Sequence, residues 1–119
     1  MDVAEVLAEI QKHPRILDAG MILTHLGRVR SFSLKGGRVL KLRVRHDEAK
    51  AEAIRRELLS SPGVVDIVIR LNQGVLEPGD PIMICAVAGE TRPDVFPVME
   101  RLIARLKAEA SDKTEEIAG

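Results

Sequence analysis

The spacing of apolar residues marks out eight elements. Val3, Val6, Leu7 and Ile10 recur at helical intervals between Asp2, a good helix N-cap, and Pro14, which cannot continue a helix. This predicts a short helix over residues 2–12. Residues 20–30 (GMILTHLGRVR) carry the aliphatic content of a strand, with Gly27 marking a bulge or a close backbone approach. Lys35-Gly36-Gly37 signals a turn. Alternation follows in residues 38–45, sending Leu40, Leu42 and Val44 to one side and Lys41, Arg43 and Arg45 to the other. A helix is predicted from Asp47 to Ser60, with Ala51, Ile54 and Leu58 on one face and Pro62-Gly63 as its stop. Residues 64–71 (VVDIVIRL) read as a strand burying Val65, Ile67, Ile69 and Leu71. A short strand near Val75-Leu76 leads into a Pro78-Gly79-Asp80 turn, and residues 81–88 (PIMICAVA) are apolar enough for a central strand covered on both faces. The last helix is predicted over Asp94–Ala108. Asp94 is its expected N-cap, Pro97 falls in its first turn, and Val95, Val98, Met99, Leu102, Ile103 and Leu106 form its inward stripe. Residues 109–119 are polar and are expected to be flexible.

This order, α-β-β-α-β-β-β-α, has no internal repeat and no linker. It predicts one domain over residues 1–119, of α+β class, with a mixed, mostly antiparallel sheet, a central helix and a C-terminal helix. A chain of 119 residues can form a packed core without disulfides or metals. Phe32 and Phe96 are its only aromatic residues, so that core must be aliphatic, and the shortage argues against base-stacking platforms for nucleic acid. Lys and Arg total 18 and Asp and Glu total 18, so no global field draws the chain to nucleic acid or to a membrane surface. No apolar run has the length of a membrane span, and the acidic N-terminus does not resemble a secretory signal; the cytoplasm is the expected location. Cys85, alone within an apolar run, reads as a small buried hydrophobe. No metal site and no cofactor are expected.

Charge is unevenly placed despite its zero sum. Arg28, Arg30, Lys35, Arg38, Lys41, Arg43 and Arg45 follow one another without an intervening acid. Such a run serves either as a solvated sheet face that discourages aggregation or as a site for a phosphate, a carboxylate or an acidic tail. No phosphate-binding glycine loop, zinc-protease motif or nucleophile signature is present. His13, His25 and His46 are dispersed, and His25, among apolar strand residues, reads as a core or interface histidine.

Four segments taken in order resemble the large, catalytic subunit of molybdopterin synthase. They are Asp18 to Arg30, ending in Gly27-Arg28-Val29-Arg30; Gly74-Val75-Leu76-Glu77-Pro78-Gly79-Asp80 with its following strand; Arg92-Pro93-Asp94-Val95-Phe96; and Leu106-Lys107. The resemblance implies an α/β-hammerhead fold and a homodimer of large subunits. Each would carry a small ubiquitin-like sulfur carrier, giving a heterotetramer. In that family the carrier's C-terminal thiocarboxylate enters a basic pocket, and its sulfur passes to cyclic pyranopterin monophosphate to form molybdopterin. Cations suit this chemistry because substrate and donor are anionic and charge builds during transfer. The resemblance implies Lys107 and Lys113 as catalytic amines, with Lys113 one residue ahead of the family's lysine position at Thr114. It further implies Arg30 and Arg92 as anion-binding groups, and the basic strand adds Arg43 and Arg45.

The sequence also departs from the family pattern. His25 stands where a phenylalanine is usual. Leu71-Asn72-Gln73 replaces a His-Arg pair, Thr91-Arg92 keeps only the arginine of a second such pair, and a Pro-x-Trp-Lys segment is absent. Two functions are therefore open. The first is sulfur transfer. The second is a non-catalytic module that binds the carrier tail or another phosphorylated ligand on the basic strand face.

Overall fold

β5 (Pro81–Gly89) holds the densest apolar run in the chain, and the fold is arranged to bury it. Every residue from Ile82 to Gly89 is buried in the computed structural model, which describes residues 1–119. Two strands flank it antiparallel: β1 (Met21–Arg28) on one side and β3 (Val64–Leu71) on the other. Met83, Cys85 and Val87 point toward α2 (Glu48–Leu59) and α3 (Arg92–Arg105), where Ile54, Leu58, Val95 and Leu102, with Leu106 just past the end of α3, close the main core. Ile84, Ala86 and Ala88 point to the opposite face, where α1 (Val3–Ile10) covers them with Val6 and Ile10. A single 3-10 turn, Ile16–Asp18, links α1 to β1.

The α+β class and the antiparallel pairing are as expected, and the strands divide into two three-stranded sheets. The second has β2 (Val39–His46) at its centre, between β4 (Gly74–Leu76) and β6 (Ser111–Ile117). Val29, Val39, Leu42, Val44, Leu76 and Ile82 form a small core that fastens this sheet to the ends of β1 and β5.

Irregularities in the strands shift two expected burial patterns. Between Val39 and Lys41 the register slips, so Val39 turns inward and Leu40 is 44% exposed, while Leu42 and Val44 keep their inward positions. A similar slip between Val64 and Asp66 turns Val65 toward α1, while Ile67, Ile69 and Leu71 stay with the main core. The buried Asp66 carboxylate accepts from the Ile67 N–H at 2.8 Å and pairs with Arg55 at 3.3 Å.

The cap of α3 lies three residues before the expected one. Thr91, in extended conformation, is the N-cap, and Pro93 occupies the first turn, where no intrahelical donor is required. The Asp94 carboxylate accepts a hydrogen bond from the Thr91 hydroxyl at 2.7 Å, and Pro97 lies inside the helix rather than at its third position. Residues 109–119 are also not a flexible tail: Ser111–Ile117 forms β6, paired with β2 from His46 back to Val39. A strand held mainly by backbone hydrogen bonds along an edge needs no apolar periodicity, so the side-chain pattern carried no sign of it. The chain reaches β6 through a π turn, Leu106–Ala110, in which Leu106 and Ala110 are buried.

The start of α3 packs tightly on the end of β5. A Cβ at Gly89 would lie 2.5 Å from Val95 Cγ2 and 2.8 Å from the Gly63 carbonyl oxygen. Both neighbours are held in place, so Gly89→Ala is expected to destabilise the protein by about 1–3 kcal/mol, the usual cost of overpacking, as measured by urea unfolding.

Candidate functional site

Connectivity brings distant cations to one end of β5. β1 runs antiparallel to β5, pairing Met21 with Gly89 and Gly27 with Met83. α3 then returns along the sheet, so the π turn that follows it delivers Lys107 near Met83 and the end of β1. Past the π turn, β6 enters the second sheet with Lys113 opposite Val44 and Glu115 opposite Leu42. Directly opposed residues in an antiparallel pair share a face, so Lys113 and Glu115 turn to the side where Val44 and Leu42 are buried.

A cavity of about 540 Å³ lies at this junction of the two sheets. Its charged and titratable wall comprises His25, Arg28, Arg30, Lys35, Lys107 and Lys113 on the cationic side and Glu115 alone on the anionic side. The Glu115 carboxylate accepts a hydrogen bond from Ser33 Oγ at 2.7 Å, which ties β6 to the loop after β1. The Arg30 guanidinium lies 5.9 Å from the centroid of the Phe32 ring, a cation–π distance that restricts where the arginine can point.

The cavity cations influence one another. Partial burial is the first reason the Lys113 amine is held below the ordinary lysine range, and the charges of Lys107 and Arg30 add to it. His25 is likewise held below the ordinary histidine range, first by burial and then by Lys107 and Lys113. The cavity thus combines a guanidinium, a partly desolvated amine and a titratable ring, which together can bind an anion and exchange protons with it.

Arg30, Lys107 and Lys113, three of the six residues the sequence singled out, meet here. The other three do not. Arg92 opens α3 at the opposite end of β5, and fourteen helical residues separate the ends of α3 by about 20 Å. Arg43 and Arg45 pair with Thr114 and Asp112, on the sheet face opposite Lys113. Lys41, Arg43 and Arg45 were expected to form a free basic stripe, but Lys41 and Arg45 stand across from Glu116 and Asp112. The basic run held no acid because its acids arrive from β6. His25, Arg28 and Lys35 were missed as cavity residues. For His25 the available signal was its position two residues before Gly27, on the same face of a strand.

A second cavity, of about 580 Å³, lies near α1, α2 and β3, but its arginines are already paired. Arg55 meets Glu52 at 3.0 Å and Asp66 at 3.3 Å, and Arg70 bonds Glu9. His46 is also structural: its ring bonds Ser111 Oγ at 2.8 Å and the Asn72 carbonyl at 2.9 Å. No group of three or more His, Cys, Asp or Glu is placed to hold a metal ion, and no helix is long and apolar enough to cross a membrane.

With this geometry in place, comparison with known proteins is specific. Residues 1–109 match the model of the family described as MoaE protein. The chain belongs to the MoaE family. The molybdopterin cofactor biosynthesis protein E of Burkholderia multivorans has a similar structure, with a TM-score of 0.78 and 28% identity over 99% of this chain and 82% of that one. The molybdopterin synthase structure from Staphylococcus aureus superposes with a TM-score of 0.74 and 25% identity, covering 85% of this chain and 77% of that one. A complex of subunits 1 and 2 of the molybdopterin-converting factor of Helicobacter pylori shares the fold, with a TM-score of 0.73 and 21% identity over 98% of this chain and 80% of that one. No curated protein matches the sequence. Membership in this family places the chain in molybdenum cofactor biosynthesis.

Lys107 acts on both titratable neighbours, which gives a direct test of the geometry. Lys107→Gln removes a repelling charge from His25 and from Lys113. Both groups are expected to titrate closer to their ordinary ranges, with burial still holding them below, as followed by NMR of the His25 ring and the Lys113 side chain.

Proposed function

We propose that this chain is the sulfur-transferring large subunit of a molybdopterin synthase. It would take sulfur from a thiocarboxylated, ubiquitin-like carrier and pass it to cyclic pyranopterin monophosphate in the cytoplasm. The supporting observation is the meeting of Arg30, Lys107 and Lys113 in one recess at the junction of the sheets.

The chemistry follows from those three groups. Arg30 supplies a permanent fork of donors suited to the substrate's phosphate or to the thiocarboxylate. Lys107 and Lys113 place two amines beside the anionic reactants. As the thiocarboxylate sulfur bonds to the pterin side chain in place of an oxygen, and water then cleaves the resulting thioester to release the carrier as a carboxylate, their positive charge stabilises the negative charge that develops. Lys113, with its depressed affinity for a proton, is the better suited of the two to exchange one. Leu34 on the cavity wall, 77% exposed, and the neighbouring exposed Phe32 offer apolar contact for an incoming carrier tail.

A homodimer completes the site. The outer edge of β1 is unpaired, and most of its residues are half-exposed. A second copy pairing antiparallel along that edge would set the start of one β1 beside the end of the other. Arg92 follows β5 near the start of β1, so this arrangement would carry Arg92 of the partner subunit toward the Arg28–Arg30 end of the cavity. Binding of an anion on the Lys41, Arg43 and Arg45 face has less support, because that face also carries Asp112 and Glu116.

Lys107→Ala is expected to lower single-turnover formation of molybdopterin by at least about 10²-fold while the carrier still binds. Arg43→Glu and Arg45→Glu should change turnover by no more than about twofold, as exposed, screened charges do. Mixing Arg92→Ala subunits with Lys107→Ala subunits should restore about a quarter of wild-type activity, since half the dimers would hold one intact composite site. If the wild-type protein binds the carrier but gives no turnover, sulfur transfer is rejected. If mixing restores nothing, the shared site is rejected.

A further inference from the structure

Among the fixed cations of the cavity, His25 is the one ring that can gain or lose a proton near neutral pH. It lies on the face of β1 that carries Met21 and Leu23 against the main core. Its ring occupies room left by a glycine: a Cβ at Gly27 would fall 3.4 Å from His25 Nε2 and 3.3 Å from Met83 Cγ. The other histidines are engaged within the protein. His13 Nδ1 accepts from the Arg15 N–H at 3.0 Å, and both nitrogens of His46 are bonded. No protein group hydrogen-bonds the His25 ring, which faces the cavity.

The charges around it come from every adjoining element. Lys107 reaches it from the π turn and Lys113 from β6. Arg28 and Arg30 stand at the end of its own strand, and Lys35 projects from the following loop. Glu115 of β6 is the one acid, and it is bonded by Ser33. Cys85 sits directly across on β5, but burial pushes its thiol up to about 12, so it stays uncharged.

We propose that His25 is a proton-gated ligand of the cavity: its neutral ring takes up a proton from solvent as an anion enters, and the new N–H then donates to that anion. The proposal rests on the anion-binding character of the cavity argued above and adds to it a residue and a proton. Without an anion, burial and two ammonium groups favour the neutral ring. A bound dianion offsets much of that positive field and offers the ring an acceptor, which favours the imidazolium. The balance is one proton from bulk water onto one ring nitrogen, with no bond of the anion broken. Affinity therefore rises as pH falls through the midpoint of the bound form and levels off below the midpoint of the free form.

Sulfate is a suitable probe because it remains a dianion throughout this range. Its affinity for wild-type protein should be several-fold higher at about pH 5.5 than at about pH 7.5, within the limit of about tenfold that a midpoint shift of about one unit sets. In His25→Gln, which keeps a hydrogen-bonding side chain without the titration, the dependence should flatten. NMR of the wild-type His25 ring should show its midpoint rising when sulfate saturates. The proposal fails if sulfate perturbs Lys107 and Lys113 while the His25 midpoint stays fixed, or if His25→Gln keeps the full pH dependence; the anion site would then stand without it. If sulfate perturbs none of these side chains, the anion site falls as well. Sulfur transfer is judged separately, by turnover with the carrier.

Discussion

Repulsion between like charges in a partly dry recess is the constraint on which the site depends. Arg30, Lys107 and Lys113 would separate if the chain allowed it, and their closeness opposes folding. The scaffold holds them there through aliphatic packing elsewhere. β5 is covered on both faces, α3 is fixed to it by Val95, Val98, Leu102 and Leu106, and the last of these is also the first residue of the π turn that presents Lys107. An arrangement of this kind gains stability when an anion enters, because binding to the folded state offsets the repulsion.

The two sheets divide the labour. The first supplies a rigid floor: the ends of β1 and β5 and the turn after α3. The second brings Lys113 and Glu115 on an edge strand whose pairing with β2 decides which charges face inward. A slip of one residue in that pairing would turn Lys113 outward and Thr114 inward. In the observed register, position 113 is the inward one.

Much of the fold was legible in the sequence because buried periodicity is a strong signal. The runs ending at Ile10, the helix from Glu48 to Leu59, and the continuous apolar stretch of β5 were all read from side chains that the core requires. β6 was invisible because backbone pairing holds it, and the slips at Val39–Lys41 and Val64–Asp66 were invisible because a bulge leaves no periodic mark. Resemblance to a known family singled out Arg30, Lys107 and Lys113, which periodicity could not, and these three line one cavity. The basic alternation of Lys41, Arg43 and Arg45 was read correctly as a shared face, but its partners on β6 lie far along the chain. His25 read as a core or interface histidine because strand parity alone does not reveal where a sheet ends and a cavity begins.

The most direct test is thermal unfolding of wild-type protein and Lys107→Gln, in chloride and in sulfate at matched ionic strength. If clustered cations await an anion, the substitution raises the midpoint in chloride by removing repulsion, and sulfate stabilises the wild-type protein more than it does the variant. Equal response of both proteins to the two salts, with a lower midpoint for the variant throughout, would contradict the account.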